Sequence, residues 1–335
     1  MFIYLLLTEK CNLSCVHCIR GVVPPKTMDF SEIPNIINQT RLLKGKTYYV
    51  LTGGEPTLHP DFTKIVLLMS SVDNSELIIN SNGTTQFIKD NLDLYRLANV
   101  HIQFSIDGSR ETHDRIRGQG VFDKALQNMD LLRTHKIDIW VSTVVTPDNI
   151  NSIDDLRDLL VQYGISKWHI NPILPFGCGS HQKMLSVKEW NRFVDHLIET
   201  TPLRLGIRKL FDFSSLDNLP HNQLENLVKQ IQKKHLCNCG TVNNKIYVYP
   251  DLTVYGCTCL KEFPLGNLRG ASLLNILSSS ESQKLKNYTL EPNSPCNKCR
   301  YVDICNGGCI GMSFRFFGRL GVGDCRCPLF MELSK

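Results

Sequence analysis

The chain has 335 residues, 42% of them hydrophobic and 21% charged, which excludes a disordered, collagenous or low-complexity protein and allows one large or two ordinary domains. Its 37 Lys and Arg against 32 Asp and Glu leave a net charge of +5, spread without a dense basic block, so no nucleic-acid partner is expected. The most apolar opening stretch, Phe2 to Leu7, is far short of the roughly 20 residues that span a membrane and lacks the charged start of a signal peptide; a cytoplasmic protein with no membrane partner is expected.

From the N-terminus to about residue 172, short β-rich runs alternate with longer segments of helical period. Strands are predicted at Phe2–Thr8, Tyr48–Thr52, Glu76–Asn80, Val100–Ser105, Asp138–Thr143 and Lys167–Asn171. Helices are predicted between them at Ser31–Lys44, Pro60–Ser70, Thr84–Leu97, Phe122–His135 and Ile150–Tyr163. Six such units imply an α/β fold with a parallel sheet, open or curved into part of a barrel, whose ligands sit at the carboxyl ends of the strands. Those ends carry the Cys11 loop, Gly53-Gly54-Glu55-Pro56, Ser81-Asn82-Gly83 and Asp107-Gly108. Helices follow at Val187–Glu199 and Gln223–Lys234, then a hairpin of Lys245–Tyr249 and Thr253–Tyr255, then short helices and cysteine-rich loops. Boundaries near 185 and 236 divide the chain into 1–185, a helical bridge 186–235, and 236–335.

Fourteen cysteines are the unusual feature: three within the first 18 residues, ten after residue 236, and Cys178 alone between them. Clustered cysteines in a cytosolic chain bind metal or do redox chemistry more often than they form disulfides. Cys11-x3-Cys15-x2-Cys18 puts three thiolates on one loop, and soft thiolates select zinc or iron–sulfur clusters. Three ligands leave one iron of a four-iron cluster open to an outside ligand. A zinc site borrowing His17 would need the adjacent His17 and Cys18 in one strained tetrahedron.

Cys11-Asn12-Leu13-Ser14-Cys15-Val16-His17-Cys18, followed by Leu51-Thr52-Gly53-Gly54-Glu55-Pro56, resembles the radical S-adenosylmethionine (radical SAM) superfamily. The resemblance implies a partial (β/α)6 TIM-like barrel. It also implies that the open iron of a 4Fe-4S cluster chelates S-adenosylmethionine, and that an electron from the cluster cleaves it to methionine and a 5′-deoxyadenosyl radical. Beside such a ligand, Gly53 and Gly54 let backbone carbonyls approach an ammonium and Glu55 offers its charge. Ser81, Asn82, Ser105 and Asp107 resemble strand-end residues that meet the methionine and ribose, and Arg117 a partner for the methionine carboxylate. His17 stands where many members carry an aromatic residue; its ring can stack on adenine and donate a hydrogen bond.

Cys296-x2-Cys299-x5-Cys305-x3-Cys309 with Cys327, preceded by Cys239 and Cys257 around the hairpin, is similar to the SPASM extension of this superfamily, a cysteine-rich domain of a β-hairpin and short helices. The resemblance implies two auxiliary 4Fe-4S clusters, three clusters in all: a hairpin cluster on Cys239, Cys257 and Cys309, and an outer cluster on Cys296, Cys299, Cys305 and Cys327. The glycine it expects upstream of Cys257 is Leu252, so the turn is expected to be built differently, and a further expected cysteine is Phe263. Either Cys259 completes the hairpin cluster, or that cluster keeps an open iron, which is the preferred reading because Cys-x-Cys is cramped. Cys237 and Cys325 are spare candidates. Paired Cys-x2-Cys knuckles leave zinc as the alternative for this domain.

Enzymes of this kind mostly modify ribosomally made peptides or proteins. The resemblance implies a radical SAM peptide maturase that installs a side-chain crosslink, carbon–carbon or thioether, served by a flavodoxin- or ferredoxin-type reductant. With Met1 almost on the first strand, a separate leader-binding protein is a further expected partner. The alternatives are a peptide epimerase, with Cys178 as hydrogen donor and catalytic residue, and an enzyme acting on a small-molecule or cofactor precursor. Sulfatase maturation is disfavoured because Thr258 follows Cys257, where those maturases tend to place an Asp. His101, His169 and His181 receive no role.

Overall fold

A computed structural model describes residues 1–98, 100–217, 219–220, 223 and 242–334. Six strands, β1 (Phe2–Thr8), β2 (Thr47–Gly53), β3 (Ser75–Ser81), β4 (His101–Ser105), β5 (Ile139–Val145) and β6 (Lys167–Pro172), pair in parallel in sequence order. The helices α1 (Ile33–Thr40), α2 (Phe62–Ser70), α3 (Gln86–Asp90), α4 (Leu92–Ala98), α5 (Arg110–Arg117), α6 (Val121–Thr134) and α7 (Ile153–Gln162) fall between them. This is the predicted α/β arrangement, with strand ends shifted by one or two residues.

Strand alternation decides which side chains reach the site. In β5, Ile139, Val141, Thr143 and Val145 are buried, while Trp140, Ser142 and Val144 lie on the other face and stay half-exposed, the two-residue period of a sheet with one face sealed by helices. The sealed core is built on Trp168, Tyr49, Phe62 and Phe104. Within it Trp168 Nε1 donates to Thr143 Oγ1 at 2.8 Å, which donates to the Ile106 carbonyl at 2.6 Å.

The helix predicted over Thr84–Leu97 is broken at Asn91, whose side-chain amide bonds back to the Phe87 carbonyl at 2.9 Å and whose φ of −129° leaves helical geometry. Helix α5 was not foreseen, because among its eight residues only Ile116 is apolar; its buried face is His113, Asp114 and Ile116.

After α8 (Val187–Thr200) the chain adds β7 (Leu205–Gly206), parallel to β6, inside the stretch expected to be helical. The predicted helix Gln223–Lys234 lies outside the described residues, as do Cys237 and Cys239. The expected hairpin is β8 (Lys245–Val248) and β9 (Thr253–Tyr255), with β10 (Pro264–Asn267) beyond it. It extends the barrel sheet directly: β8 runs parallel to β1, Phe2 opposite Lys245 and Leu5 opposite Val248, so one ten-stranded sheet runs from β10 to β7. Leu252 adopts the left-handed φ of +67°, so the turn keeps a glycine-like conformation despite its side chain, at a local cost of about 1–2 kcal/mol. No helix among the described residues is long and apolar enough to cross a membrane.

Candidate active site

The cysteine loop leaves β1 and is clamped from β2. The Gly54 amide donates to the Thr8 carbonyl at 2.7 Å and the Glu55 amide to the Lys10 carbonyl at 2.8 Å. A Cβ on Gly53 would stand 2.2 Å from the Thr8 carbonyl oxygen, and one on Gly54 2.2 Å from that of Lys10. The glycine pair therefore admits the loop's own backbone, which packs where a side chain would stand. Pro56 opens a short 3-10 turn, Pro56–Leu58.

Glu55 is fully buried. Its Oε1 accepts from Thr57 Oγ1 at 2.7 Å, Ser81 Oγ at 2.9 Å and the Thr57 amide at 3.3 Å, and its Oε2 from the Asn82 amide at 2.8 Å. Burial pushes its carboxyl up against these bonds. The charge expected to face a ligand instead ties the end of β2 to the end of β3.

Cys11 is exposed and Cys15 and Cys18 are half-buried, none in a disulfide. Asn82 Nδ2 lies 3.9 Å from Cys11 Sγ and bonds Asn12 Oδ1 at 2.9 Å. Arg117 Nη1 lies 3.9 Å from Cys15 Sγ. Asp107 is the hub: Oδ2 accepts from Arg117 Nε at 2.6 Å and pairs with His17 Nε2 at 2.8 Å, while Oδ1 accepts from the Val144 amide at 2.8 Å. Burial would raise this carboxyl, but Arg117 and His17 hold it well below the usual carboxylate range. Burial raises the Cys15 thiol to about 11 and also raises Cys11, a cost that a bound cationic centre reverses by stabilising thiolate. Three unbridged thiols on one loop, two of them facing N–H donors, fit an iron–sulfur cluster. Ser105 ends β4 in register with Ser142.

A cavity of ≈ 750 Å³ opens from His17 and Cys18 and reaches Cys257, Cys259 and Cys309. Its lining includes Tyr4, Asn80, Gln103, Ser142, His169 and Asn171. These polar groups alternate with core residues on their strands, and that alternation is the signal by which they were findable. His169, left without a role above, is held neutral: burial lowers its pKa to about 4, and Lys167 and Arg204 add to the effect. Cys178 is not among the lining residues; its amide donates to the Cys18 carbonyl at 2.8 Å.

Seven of the eight described C-terminal thiols divide between two cavities. Cys257, Cys259 and Cys309 line the large one, where the Cys259 amide donates to Cys257 Sγ at 3.4 Å. Hydrogen bonding from Cys259 outweighs burial and brings the Cys257 thiol down to about 7. Cys296, Cys299, Cys305 and Cys327 together line a smaller second cavity, the four of the expected outer set. Cys325 lines neither. Among the described residues no three His, Cys, Asp or Glu side chains are drawn together as a single-ion site requires; the thiols ring the cavities instead. Asp324, unnoticed in the sequence although it begins Asp324-Cys325-Arg326-Cys327, lines both cavities. It accepts from the Cys309 amide at 3.3 Å and from Arg326 through two bonds, at 3.0 and 2.6 Å.

Residues 5–160 match the radical SAM superfamily model, and residues 237–300 match SPASM, an iron-sulfur cluster-binding domain. Mycofactocin maturase MftC of Mycolicibacterium smegmatis is 28% identical over 92% of this chain and 77% of its own. An AdoMet-dependent heme synthase of Methanosarcina barkeri is 30% identical over 58% of this chain and 56% of its own. The crystal structure of Streptococcus suis SuiB bound to precursor peptide SuiA shares the fold, with a TM-score of 0.80 at 14% identity over 98% of this chain and 75% of that one. The two matched segments carry the cysteine loop on the barrel and, of the cysteines lining the two cavities, Cys257, Cys259, Cys296 and Cys299, and on that ground the chain belongs to the radical SAM superfamily, an enzyme with a C-terminal SPASM iron–sulfur domain.

Proposed function

We propose that this chain is a peptide maturase that installs a side-chain crosslink, carbon–carbon or thioether, in a ribosomal peptide. The observation that carries the reading is the single cavity joining the Cys18 end of the cysteine loop to Cys257, Cys259 and Cys309 over a polar lining. It has room for a peptide side chain between the two sulfur sites. The maturase relative spanning nearly the whole chain and the like-folded protein solved with its precursor peptide support it.

In this reading Cys11, Cys15 and Cys18 hold the first 4Fe-4S cluster. Cys257, Cys309 and Cys239, with Cys259 beside them, serve a second, and Cys296, Cys299, Cys305 and Cys327 a third. The cluster and S-adenosylmethionine, when bound, supply a 5′-deoxyadenosyl radical that abstracts a substrate hydrogen. The chain's own work is to hold and shield. Asp107 fixes the His17 ring at the cavity wall, where it could stack on the adenine of a bound S-adenosylmethionine. Ser105 and Ser142 offer hydroxyls on the concave face, and Asn80 and Gln103, bonded to each other at 3.0 Å, orient the substrate. His169, neutral above its lowered pKa, lines the cavity as an uncharged hydrogen-bonding group. A flavodoxin- or ferredoxin-type protein supplies electrons, and a separate leader-binding protein delivers the peptide.

A second reading, a small-molecule or cofactor precursor as substrate, is favoured by the heme synthase relative. The deciding experiment is anaerobic turnover of candidate peptides with 5′-deoxyadenosine and mass analysis. A peptide lighter by two hydrogens supports crosslinking. Unchanged mass with deuterium taken up from heavy water indicates epimerisation. S-adenosylmethionine cleavage coupled only to a porphyrin or other small acid sinks the peptide reading.

A further inference from the structure

Two groups that the family resemblance directs toward S-adenosylmethionine point in this structure at cysteine sulfurs. Arg117 Nη1 lies 3.9 Å from Cys15 Sγ, and Asn82 Nδ2 lies 3.9 Å from Cys11 Sγ. Neither side chain is free to swing. Arg117 is 10% exposed and its Nε is bonded to the fully buried Asp107, which the Val144 amide holds from the other side. The Asn82 amide is bonded to Glu55, and its side-chain oxygen accepts from the Thr84 amide and hydroxyl at 2.9 and 2.7 Å. A buried carboxylate thus stands behind each donor, and the one behind Arg117 bonds the guanidinium itself.

Hydrogen bonds to cluster sulfurs, nearby charge and solvent exclusion are the levers a protein has on an iron–sulfur potential. Reduction adds one negative charge to the cluster. A fixed guanidinium against a ligand sulfur, in a site of low dielectric, therefore favours the reduced form. Asp107 opposes this in part by its own charge while holding the guanidinium in place.

We propose that Arg117, positioned by Asp107, sets the reduction potential of the cluster on Cys11, Cys15 and Cys18, with Asn82 as a weaker second donor. The inference rests on the proposed assignment of the first cluster to those three cysteines. It gives Arg117 a positioning role toward the electron-accepting step rather than toward the methionine carboxylate.

The test is an EPR-monitored redox titration of the reconstituted full chain, following the signal that added S-adenosylmethionine perturbs, which separates this cluster from the C-terminal ones. Arg117→Gln is expected to make reduction about tenfold less favourable, a shift of about 59 mV to lower potential for one electron. Arg117→Lys, which keeps the charge but not the fork of donors, is expected to shift the same way by less. Asp107→Asn keeps a carbonyl oxygen to accept from Arg117 Nε while removing the opposing charge, and is expected to move the potential upward. Unchanged midpoints in both arginine variants, or arginine and aspartate variants moving in the same direction, overturn the inference while leaving the cluster assignment intact. A wild-type chain with no signal that S-adenosylmethionine perturbs overturns the assignment itself, and the inference with it.

Discussion

The amide of Cys178 donates to the carbonyl of Cys18 at 2.8 Å, so the turn Gly177–His181 braces the back of the cysteine loop. Gly177 makes the approach possible: its φ is +59°, and a Cβ there would stand 2.4 Å from the Cys18 carbonyl oxygen. Gly177→Ala is expected to displace the loop and reduce iron bound per chain by about four, one cluster. Cys178→Ala keeps the amide and is expected to retain full iron. If it also keeps product and rate, Cys178 is not a hydrogen donor; full iron in Gly177→Ala would show the brace to be dispensable.

Glu55→Gln tests the tie between β2 and β3. Four donors converge on its carboxylate, and an amide nitrogen in place of one oxygen would face at least one of them. A loss of about 2 kcal/mol is expected, read as a lower urea midpoint with an unchanged slope. Equal midpoints for the two proteins would mean that the carboxylate does not hold the strand ends together.

The pH dependence of stability should carry the mark of His113 and His169. Burial lowers both to about 4, with Arg117 adding at His113 and Lys167 at His169, against an unfolded value of about 6.5. Between these values the unfolded chain binds protons that the folded chain does not. Stability is therefore full above about pH 6.5 and falls as pH drops toward 4. His169→Gln should flatten part of that slope, measured by urea unfolding of the apo chain at several pH values. A slope identical to wild type would contradict the burial of this imidazole.

Cys305 faces the second cavity with Cys296, Cys299 and Cys327. Its replacement by Ala is expected to remove about four irons per chain and to leave the signal that S-adenosylmethionine perturbs in place. Loss of that signal together with the iron would show that the two ends of the chain load as one unit.

The strands and the cysteine loop were legible because period-two alternation and cysteine spacing are local. The roles of single polar residues were not. Glu55, Asn82 and Arg117 look like ligand contacts by their place in a motif, yet each also meets a residue 26 to 102 positions away in sequence: Ser81 at Glu55, Cys11 at Asn82 and Cys15 at Arg117. Asp107, expected only as one of several strand-end contacts, is the hub on which His17, Arg117 and Val144 meet. Leu252 misled in the opposite sense: the resemblance expects a glycine there and so a different turn, yet the backbone takes the left-handed φ that a glycine favours. Helix α5 escaped because its inward face is largely polar.

The pairing of β8 with β1 joins residue 2 to residue 245, and it governs the order in which the chain matures. Until residues 245–248 have been synthesised, the strand that leads into Cys11 is open along one side, with unpaired backbone donors and acceptors. The barrel cannot close at its first strand before the SPASM hairpin arrives, and a contact so distant in sequence forms late. Cells that overproduce this protein will hold an open-edged intermediate, and a truncation before the hairpin will be prone to self-association through that edge even with its three N-terminal cysteines intact.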